Sequence, residues 1–367
     1  MNICVIGNNL TSLVLSKALV NKKINVTIYY NYEKKIFKSN RSIGITRKNI
    51  DFLKNNILKI DKKYFHPIKQ IEIYTEKNKK KKKILNFNEK DKYLFHLIKA
   101  DILYKLLKKD LSNKKNFKIK KIKNNHFYEN VYKDENFDLI INCEKENLIT
   151  KSLFSKKISK DYYSDAYTCT IYHQKIFNNK AIQIFTKYGP LAFLPLSNNE
   201  TSIVFSIYKK KENIDKKKII ELIKYYNNLY FIKKFSKFEK AQLRFSSARN
   251  YYNGKILLFG DSLHQIHPLA GQGFNMTLRD LEVLLNEIQN KIDLGLSVDA
   301  SVLDEFQKKT KHYNLIYSSG INFIQNFFKY DNKFQNKYCD KIINLLGKNK
   351  FINNFFIKVA NRGLEIN

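Results

Sequence analysis

Residues 255–280 read KILLFGDSLHQIHPLAGQGFNMTLRD, and this stretch decides the fold. It runs from an apolar strand through a Gly-Asp turn, a His-Pro turn and a Gly-Gln-Gly loop into the start of a helix. Gly260, Gly271 and Gly273 fall here, three of the 11 glycines in the chain, together with Pro268, one of four prolines. Glycine is needed where backbone must come close to a ligand or take positive φ. A glycine-flanked helix start offers unpaired N–H groups and the positive end of a dipole to an anion. The arrangement is what a protein needs to hold a large phosphorylated cofactor. An ordinary strand–loop–helix with a glycine cap is the plainer alternative.

Working outward, the N-terminus supplies a second half for such a site. Residues 2–6 (NICVI) read as a buried strand, residues 7–12 as a turn, LVLSKALVNKK as a helix and residues 24–30 (INVTIYY) as the next strand. This is the strand–turn–helix–strand order of a dinucleotide-binding unit. Of the glycine fingerprint only Gly7 is present; Asn9 and Ser12 stand at its second and third positions, and Tyr30 where an acidic, ribose-binding residue is usual.

The motifs in GDSLHQIHPLAGQGFNMTLRD resemble the second flavin-binding motif of the FAD-dependent aromatic hydroxylases. Among them they are similar to the ubiquinone-biosynthesis hydroxylase family (2-polyprenylphenol hydroxylase type), in which GDAAHxxHPLAGQGxNxGxRD recurs. Residues 189–196 (GPLAFLPL) resemble that family's GPLALLPL, and Arg41 with the following SIGIT resembles its R-x-x-A-L-S segment. FDLIINCEKEN (137–147) aligns with D-L-x-V-x-A-D-G, with Glu144 for the aspartate and Lys145 for the glycine. Lys99 and Asp101 occupy the place of an arginine-containing segment beside the flavin.

The resemblance implies an α/β (α+β) fold: a Rossmann-like FAD-binding domain interleaved with an antiparallel β-sheet substrate domain, followed by C-terminal helices. The FAD-binding domain is expected from residues 1–65, 95–155 and 245–300, the substrate domain from 66–94 and 156–244, and the helical region from 301–367. It further implies FAD as cofactor and NAD(P)H as co-substrate. The reaction expected is hydroxylation of a polyprenylated phenol with O2 through a flavin C4a-hydroperoxide, in ubiquinone biosynthesis. By the same resemblance Asp261, after the strand-ending Gly260, bonds the ribityl chain. Gly271, Gln272 and Gly273 present backbone N–H groups to ring and phosphates, with Phe274 beside them and Asn275 near the N1/O2 edge. Gly7, Asn9, Ser12 and Arg41 fall to the phosphate half, where an arginine suits two oxygens at once. Pro268 packs on the oxygen-reacting side, and His267 either deprotonates the phenol or braces the loop. Apart from the resemblance, Arg279 and Asp280 are expected to make local helix pairs and core-edge contacts rather than to take part in chemistry.

Composition narrows the setting. The chain has 367 residues, 43% of them hydrophobic, enough for two subdomains with a sizeable core. There is no run of apolar residues long enough to span a membrane and no basic leader before the first strand. Cys4, Cys143, Cys169 and Cys339 form no paired motif, which argues against structural zinc and a disulfide framework and suits a reducing cytoplasm. His264 and His267 are close, but no third ligand lies at a suitable interval, so a metal site is rejected. The charge of +35, from 68 basic and 33 acidic residues, is spread along the chain with Asn and Ile. Compositional drift accounts for most of it; no nucleic-acid signature accompanies it.

The remaining pattern predicts helix over 49–58 and 97–111, a hairpin over 68–90 with Lys79–Lys83 at its tip, and strands at FKIKKIK and HFYENVY. From Asp165 four alternating segments predict an antiparallel sheet. Residues 302–364 are helical by pattern, with Phe and Ile stripes interleaved with Lys in GINFIQNFFKY and KFINNFFIKVANRGL. With a lipid substrate implied, contact with an anionic membrane surface at the inner face is an expectation. So is membership of a ubiquinone-biosynthesis complex. Two alternatives stay open: a related flavoprotein oxidoreductase acting on another apolar substrate, and a non-catalytic scaffold relative.

Overall fold

The chain was analysed as a computed structural model, which describes residues 1–31, 41–77, 80–88, 93–122, 126–209, 214–268 and 271–334. KFINNFFIKVANRGL and Lys79 lie outside the described residues.

The run NICVI has β-branched and apolar side chains on both faces, and that is the pattern of a strand covered on both sides. It forms the strand Asn2–Ile6, with Ile3, Cys4, Val5 and Ile6 all 0% exposed. This strand lies inside a six-stranded sheet. On one side it pairs parallel with Asn25–Asn31, which pairs parallel with Phe117–Ile122. On the other it pairs parallel with Leu139–Asn142, then Ile256–Leu258, and a short antiparallel edge Tyr252–Asn253 closes the order. The helices Leu10–Asn21, Ala100–Ser112 and Gln272–Asp293 contribute buried Leu13, Leu103 and Leu281 to the same core.

The second sheet has nine strands. Its spine is the 17-residue strand Lys157–His173, which pairs antiparallel with Glu200–Tyr208 on one side and Glu239–Ala248 on the other. A bulge between Asp161 and Ser164, with Tyr163 at φ 50°, bends it there. Gly189–Pro195 and Lys180–Thr186 follow antiparallel, as alternation predicted. One pairing departs from that expectation: Lys180–Thr186 runs parallel to Gln70–Lys77, which brings in the hairpin Gln70–Lys77/Lys80–Asn88 at the far edge. The helix Lys216–Tyr226 buries Ile219 and Ile223 against this sheet's own core.

Two further local expectations are corrected. HFYENVY is not a strand; His126–Asn130 is helical and Val131–Lys133 is a single 3₁₀ turn. Consecutive residues both face inward there, Phe127 stacking on Tyr29 at 4.5 Å and Tyr128 bonding Glu144 at 3.3 Å, which the two-sided geometry of a strand forbids. The helix expected from residue 97 begins at Ala100, because Phe95–Lys99 pairs with Ser42–Thr46 and with His66–Ile68 in a third, three-stranded sheet. The helix expected over 49–58 runs Arg47–Asn56, capped by the Thr46 hydroxyl.

The strand His264–Gln265 pairs with Ser246 and Ser247, so the 255–280 stretch leaves the parallel sheet and joins the wide one within a few residues. That crossing places both sheets around one cavity. The helix Ala300–Phe334 packs on Gln272–Asp293. Among the described residues no helix is long and apolar enough to cross a membrane.

Candidate cofactor and substrate site

A cavity of about 800 Å³ lies between the two sheets, within the range of roughly 300–1,000 Å³ usual for cofactor and ligand sites. Its polar lining includes Asn9, Thr11, Tyr30, Arg41, Lys145 and Asp261, the last two in contact with each other; its apolar lining includes Phe95, Leu97, Leu194, Val204 and Leu243 of the sheets and Ile266.

In the polar lining the first helix starts on Asn9. The Asn9 side chain accepts from Ser12 N–H at 3.0 Å, and Asn9 N–H donates to Ser12 Oγ at 2.9 Å, a closed capping box. Asn9 Nδ2 also donates to the Cys143 carbonyl at 2.8 Å. The two residues at the lost glycine positions therefore tie the helix start to the end of the neighbouring strand. Gly7 keeps φ 120°, and a Cβ there would stand 3.0 Å from Glu144 Cγ. Gly260, at φ +65°, lies so close to Thr11 that a Cβ would meet its Cγ2 at 2.5 Å, which seats the Asp261 turn directly on the helix start.

Asp261 and Lys145 form an ion pair at 3.2 Å, with 46% and 41% of their side chains exposed to the cavity. Burial opposes ionisation of Asp261, but the Lys145 ammonium and the Arg41 guanidinium outweigh it and hold the carboxyl below its usual range.

The other helix start, at Gln272, has Gly271 as its cap in the left-handed region (φ 66°), with no side-chain cap and no acid in the first turn. Gly273 and Phe274 of that turn line the cavity, so N–H groups of a 22-residue helix open onto it. A Cβ on Gly271 would lie 3.2 Å from Gly44 N, so the close approach of these two loops needs a glycine.

Of the residues expected at the site, Asn9, Arg41, Asp261, Pro268, Gly271, Gly273 and Phe274 line the cavity. Gly7, Ser12 and Gly260 stand behind its wall, shaping it through the contacts above. Gln272 Oε1 accepts from the Tyr317 hydroxyl at 2.5 Å. Asn275 is turned onto backbone: it donates to the Gly44 carbonyl at 2.9 Å and accepts from Thr46 N–H at 3.1 Å and from Asn49 at 2.9 Å. It holds the Ser42–Thr46 strand, whose Ser42, Ile43 and Gly44 line the cavity. His267 is 1% exposed and stands outside the cavity lining, its ring edge-on to Tyr162 at 5.1 Å. Among the described residues neither of its ring nitrogens has a hydrogen-bond partner, and burial pushes its pKa down to about 3. It is a neutral ring at neutral pH, packed against Tyr162. Lys99 is paired with Glu200 at 2.6 Å and Asp101 with Lys105 at 3.5 Å, both away from the cavity.

Asp280, expected in local helix pairs and core-edge contacts, stands 3.8 Å from Arg279 and is fully buried; its particular partner, which the sequence did not name, is His264, which lines the cavity. The signal was present in the sixteen-residue spacing of two residues on either side of one loop, but only folding shows that they meet. Among the described residues no group of three or more metal-type ligands occurs.

The residues present fit a flavin dinucleotide: a cavity of sufficient volume lined by the cationic Arg41 and Lys145, a carboxylate for hydroxyls, a helix start without a side-chain cap, and apolar side chains from the sheets. Fold and site together are those of a protein built to hold a dinucleotide beside an apolar pocket. Comparison with known proteins agrees. Residues 153–305 match the FAD binding domain family. The chain is 27% identical over 166 residues to the ubiquinone hydroxylase UbiL of Rhodospirillum rubrum, covering 42% of this chain and 38% of that protein. It is 31% identical over 147 residues to the 3-demethoxyubiquinol 3-hydroxylase of Escherichia coli, covering 38% of this chain and 37% of that protein. The matched stretch thus spans well under half the length of these relatives. In fold it is similar to p-nitrophenol 4-monooxygenase PnpA from Pseudomonas putida, with a TM-score of 0.75 and 12% identity over 99% of this chain and 98% of that one. It is also similar to Klebsiella pneumoniae HpxO complexed with FAD and uric acid, with a TM-score of 0.72 and 11% identity over 98% and 96%. In sequence the chain is thus similar over part of its length to hydroxylases of ubiquinone biosynthesis, and in fold to the two monooxygenase-type structures above.

Proposed function

We propose that this protein is an FAD-dependent monooxygenase that hydroxylates a polyprenylated phenol in ubiquinone biosynthesis, with NAD(P)H and O2 as co-substrates. The observation that carries the reading is the single cavity in which Asp261 and two helix starts meet an apolar wall from the wide sheet. Bound FAD supplies the activation of O2 for inserting one oxygen atom into an electron-rich ring, with NAD(P)H as the source of electrons.

The chain's own residues supply binding, orientation and exclusion of water. Asp261 is held ionised and accepts hydrogen bonds from hydroxyls of the cofactor chain. The Gly271–Phe274 turn directs N–H groups at an electron-rich ring edge, where a helix dipole favours negative charge. Pro268 and Ile266 form the adjoining wall, and Phe95, Leu97, Leu194 and Val204 give an apolar surface for a ring with a hydrocarbon tail. His267 is a brace in this scheme and takes no proton from substrate, since burial makes its ring a poor base and it stands outside the cavity lining.

The test is turnover: purified protein, FAD, NAD(P)H and a short-chain polyprenylphenol under air. A product one oxygen atom heavier, carrying label from ¹⁸O2, is expected. NAD(P)H oxidation that yields only hydrogen peroxide with every prenylphenol tried would point to another apolar substrate. Flavin binding with no reduction by NAD(P)H would favour the scaffold alternative.

A further inference from the structure

The position that the family pattern gives to glycine carries Lys145, and the structure shows what that lysine meets. The loop after the strand Leu139–Asn142 is fixed two residues earlier, where the Cys143 carbonyl accepts from Asn9. From there Lys145 reaches Asp261 at 3.2 Å. Asn9, Leu10 and Thr11 line the same cavity.

A pyrophosphate in this kind of fold ordinarily sits on the N–H groups of the first helix, approached through the second glycine of the turn. Here Asn9 replaces that glycine, its own N–H donates to Ser12, and the N–H of Ser12 is taken by Asn9. Backbone donation is therefore reduced. The charges in the wall make the deficit sharper. Asp261, Glu144 and Glu146 bring negative charge to the lining, and Glu144 turns its carboxylate to the Tyr128 hydroxyl at 3.3 Å. Positive charge comes from Arg41 and Lys145; the cavity's other lysine, Lys240, is engaged by Asp165 at 3.1 Å. A dianionic ligand bridge placed here needs a cation close to the helix start, and Lys145 is the side chain already there.

We propose that Lys145 reads the pyrophosphate of the dinucleotide: it leaves Asp261 for the phosphates, and the freed carboxylate takes the cofactor's hydroxyls. Lys145 thus replaces, with a side-chain charge, the backbone donation lost at Asn9 and Ser12. The inference rests on the FAD reading above and goes beyond it, because it makes phosphate, rather than the ring, the part of the cofactor that this lysine selects.

The experiment is a fluorescence titration of flavin-free protein with FAD and, separately, with riboflavin, which has the ring and ribityl chain but no phosphate. Wild type, Lys145→Gln and Lys145→Arg are compared, with thermal melts to confirm that each is folded. Lys145→Gln is expected to lose at least about tenfold in FAD affinity, the worth of one charge-assisted contact, with riboflavin affinity within about twofold of wild type. Lys145→Arg retains FAD binding. FAD affinity unchanged or raised in Lys145→Gln would overturn the proposal, as would an equal loss for FAD and riboflavin. Wild type that binds neither flavin would instead remove the FAD reading itself, and this inference with it.

Discussion

His264 and Asp280 are hydrogen-bonded at 2.6 Å with side chains 1% and 0% exposed, and they join the cavity wall to the core of the helix Gln272–Asp293. Asn314 donates to the same carboxylate oxygen at 3.2 Å, and Arg279 stands 3.8 Å from the other. Three elements are thus pinned to one buried carboxylate: the strand that crosses between sheets, the helix that opens on the cavity, and the long helix packed behind it.

Removing that carboxylate leaves buried donors without an acceptor, which costs far more than the pair itself contributes. Asp280→Ala is expected to lower unfolding free energy by about 3 kcal/mol in chemical denaturation. A loss below about 1 kcal/mol would show that the network is not holding these elements together.

Asp261 is half-exposed in the cavity, so its ion pair with Lys145 adds little to folding. Asp261→Ala is expected to keep the melting temperature within a few degrees while weakening FAD retention about tenfold or more through lost hydrogen bonds to a charged acceptor. Full flavin occupancy after gel filtration of this variant would refute the assignment.

Gly189 opens the GPLAFLP strand at φ +131°, where a Cβ would lie 1.9 Å from the Ser206 carbonyl oxygen. Gly189→Ala therefore forces the backbones of two neighbouring strands apart. A destabilisation of more than about 2 kcal/mol is expected, from strain and lost pairing together. The comparison is Gly254→Ala, whose Cβ meets nothing within 4 Å and which bears only the cost of its φ of +53°.

His267 sets a pH dependence. Its folded pKa of about 3 is below the ordinary value of 6.5, so the unfolded chain binds the extra proton first. Its contribution is complete above about pH 6.5 and is lost progressively as pH falls toward 3. At pH 5 the loss amounts to about 2 kcal/mol. The stability difference between pH 7 and pH 5 should shrink by about that amount in His267→Gln, measured by denaturation at both values. An unchanged difference would mean that the ring finds a partner when protonated.

Much of this architecture was legible in the sequence because its signals are local. NICVI, the turn at Gly7 and the 255–280 stretch each carry their own period, glycine and cap, and the alternating segments after Asp165 fold as the antiparallel strands they suggest. What failed depended on partners distant in the chain. Phe95–Lys99 has no strand signature of its own and becomes one through Ser42–Thr46. The parallel match of Ala181 to Ile71 joins residues over a hundred positions apart. At the site, seven of the residues singled out from the sequence face the cavity, all from the turn at residues 7–12, the Arg41 segment and the 255–280 stretch, while the apolar lining from the sheets was not among them. The use of Asn275 as a backbone clamp, and the meeting of Lys145 with Asp261, required the loops to be placed in space.

The central claim is that this cavity holds FAD in a form that NAD(P)H can reduce. The direct measurement is the visible spectrum of the purified protein after addition of FAD and gel filtration, then after anaerobic NAD(P)H, then after air. Flavin bands that co-elute with the protein, bleach with NAD(P)H and return with oxygen are the predicted result. Protein that emerges colourless from excess FAD would contradict the account.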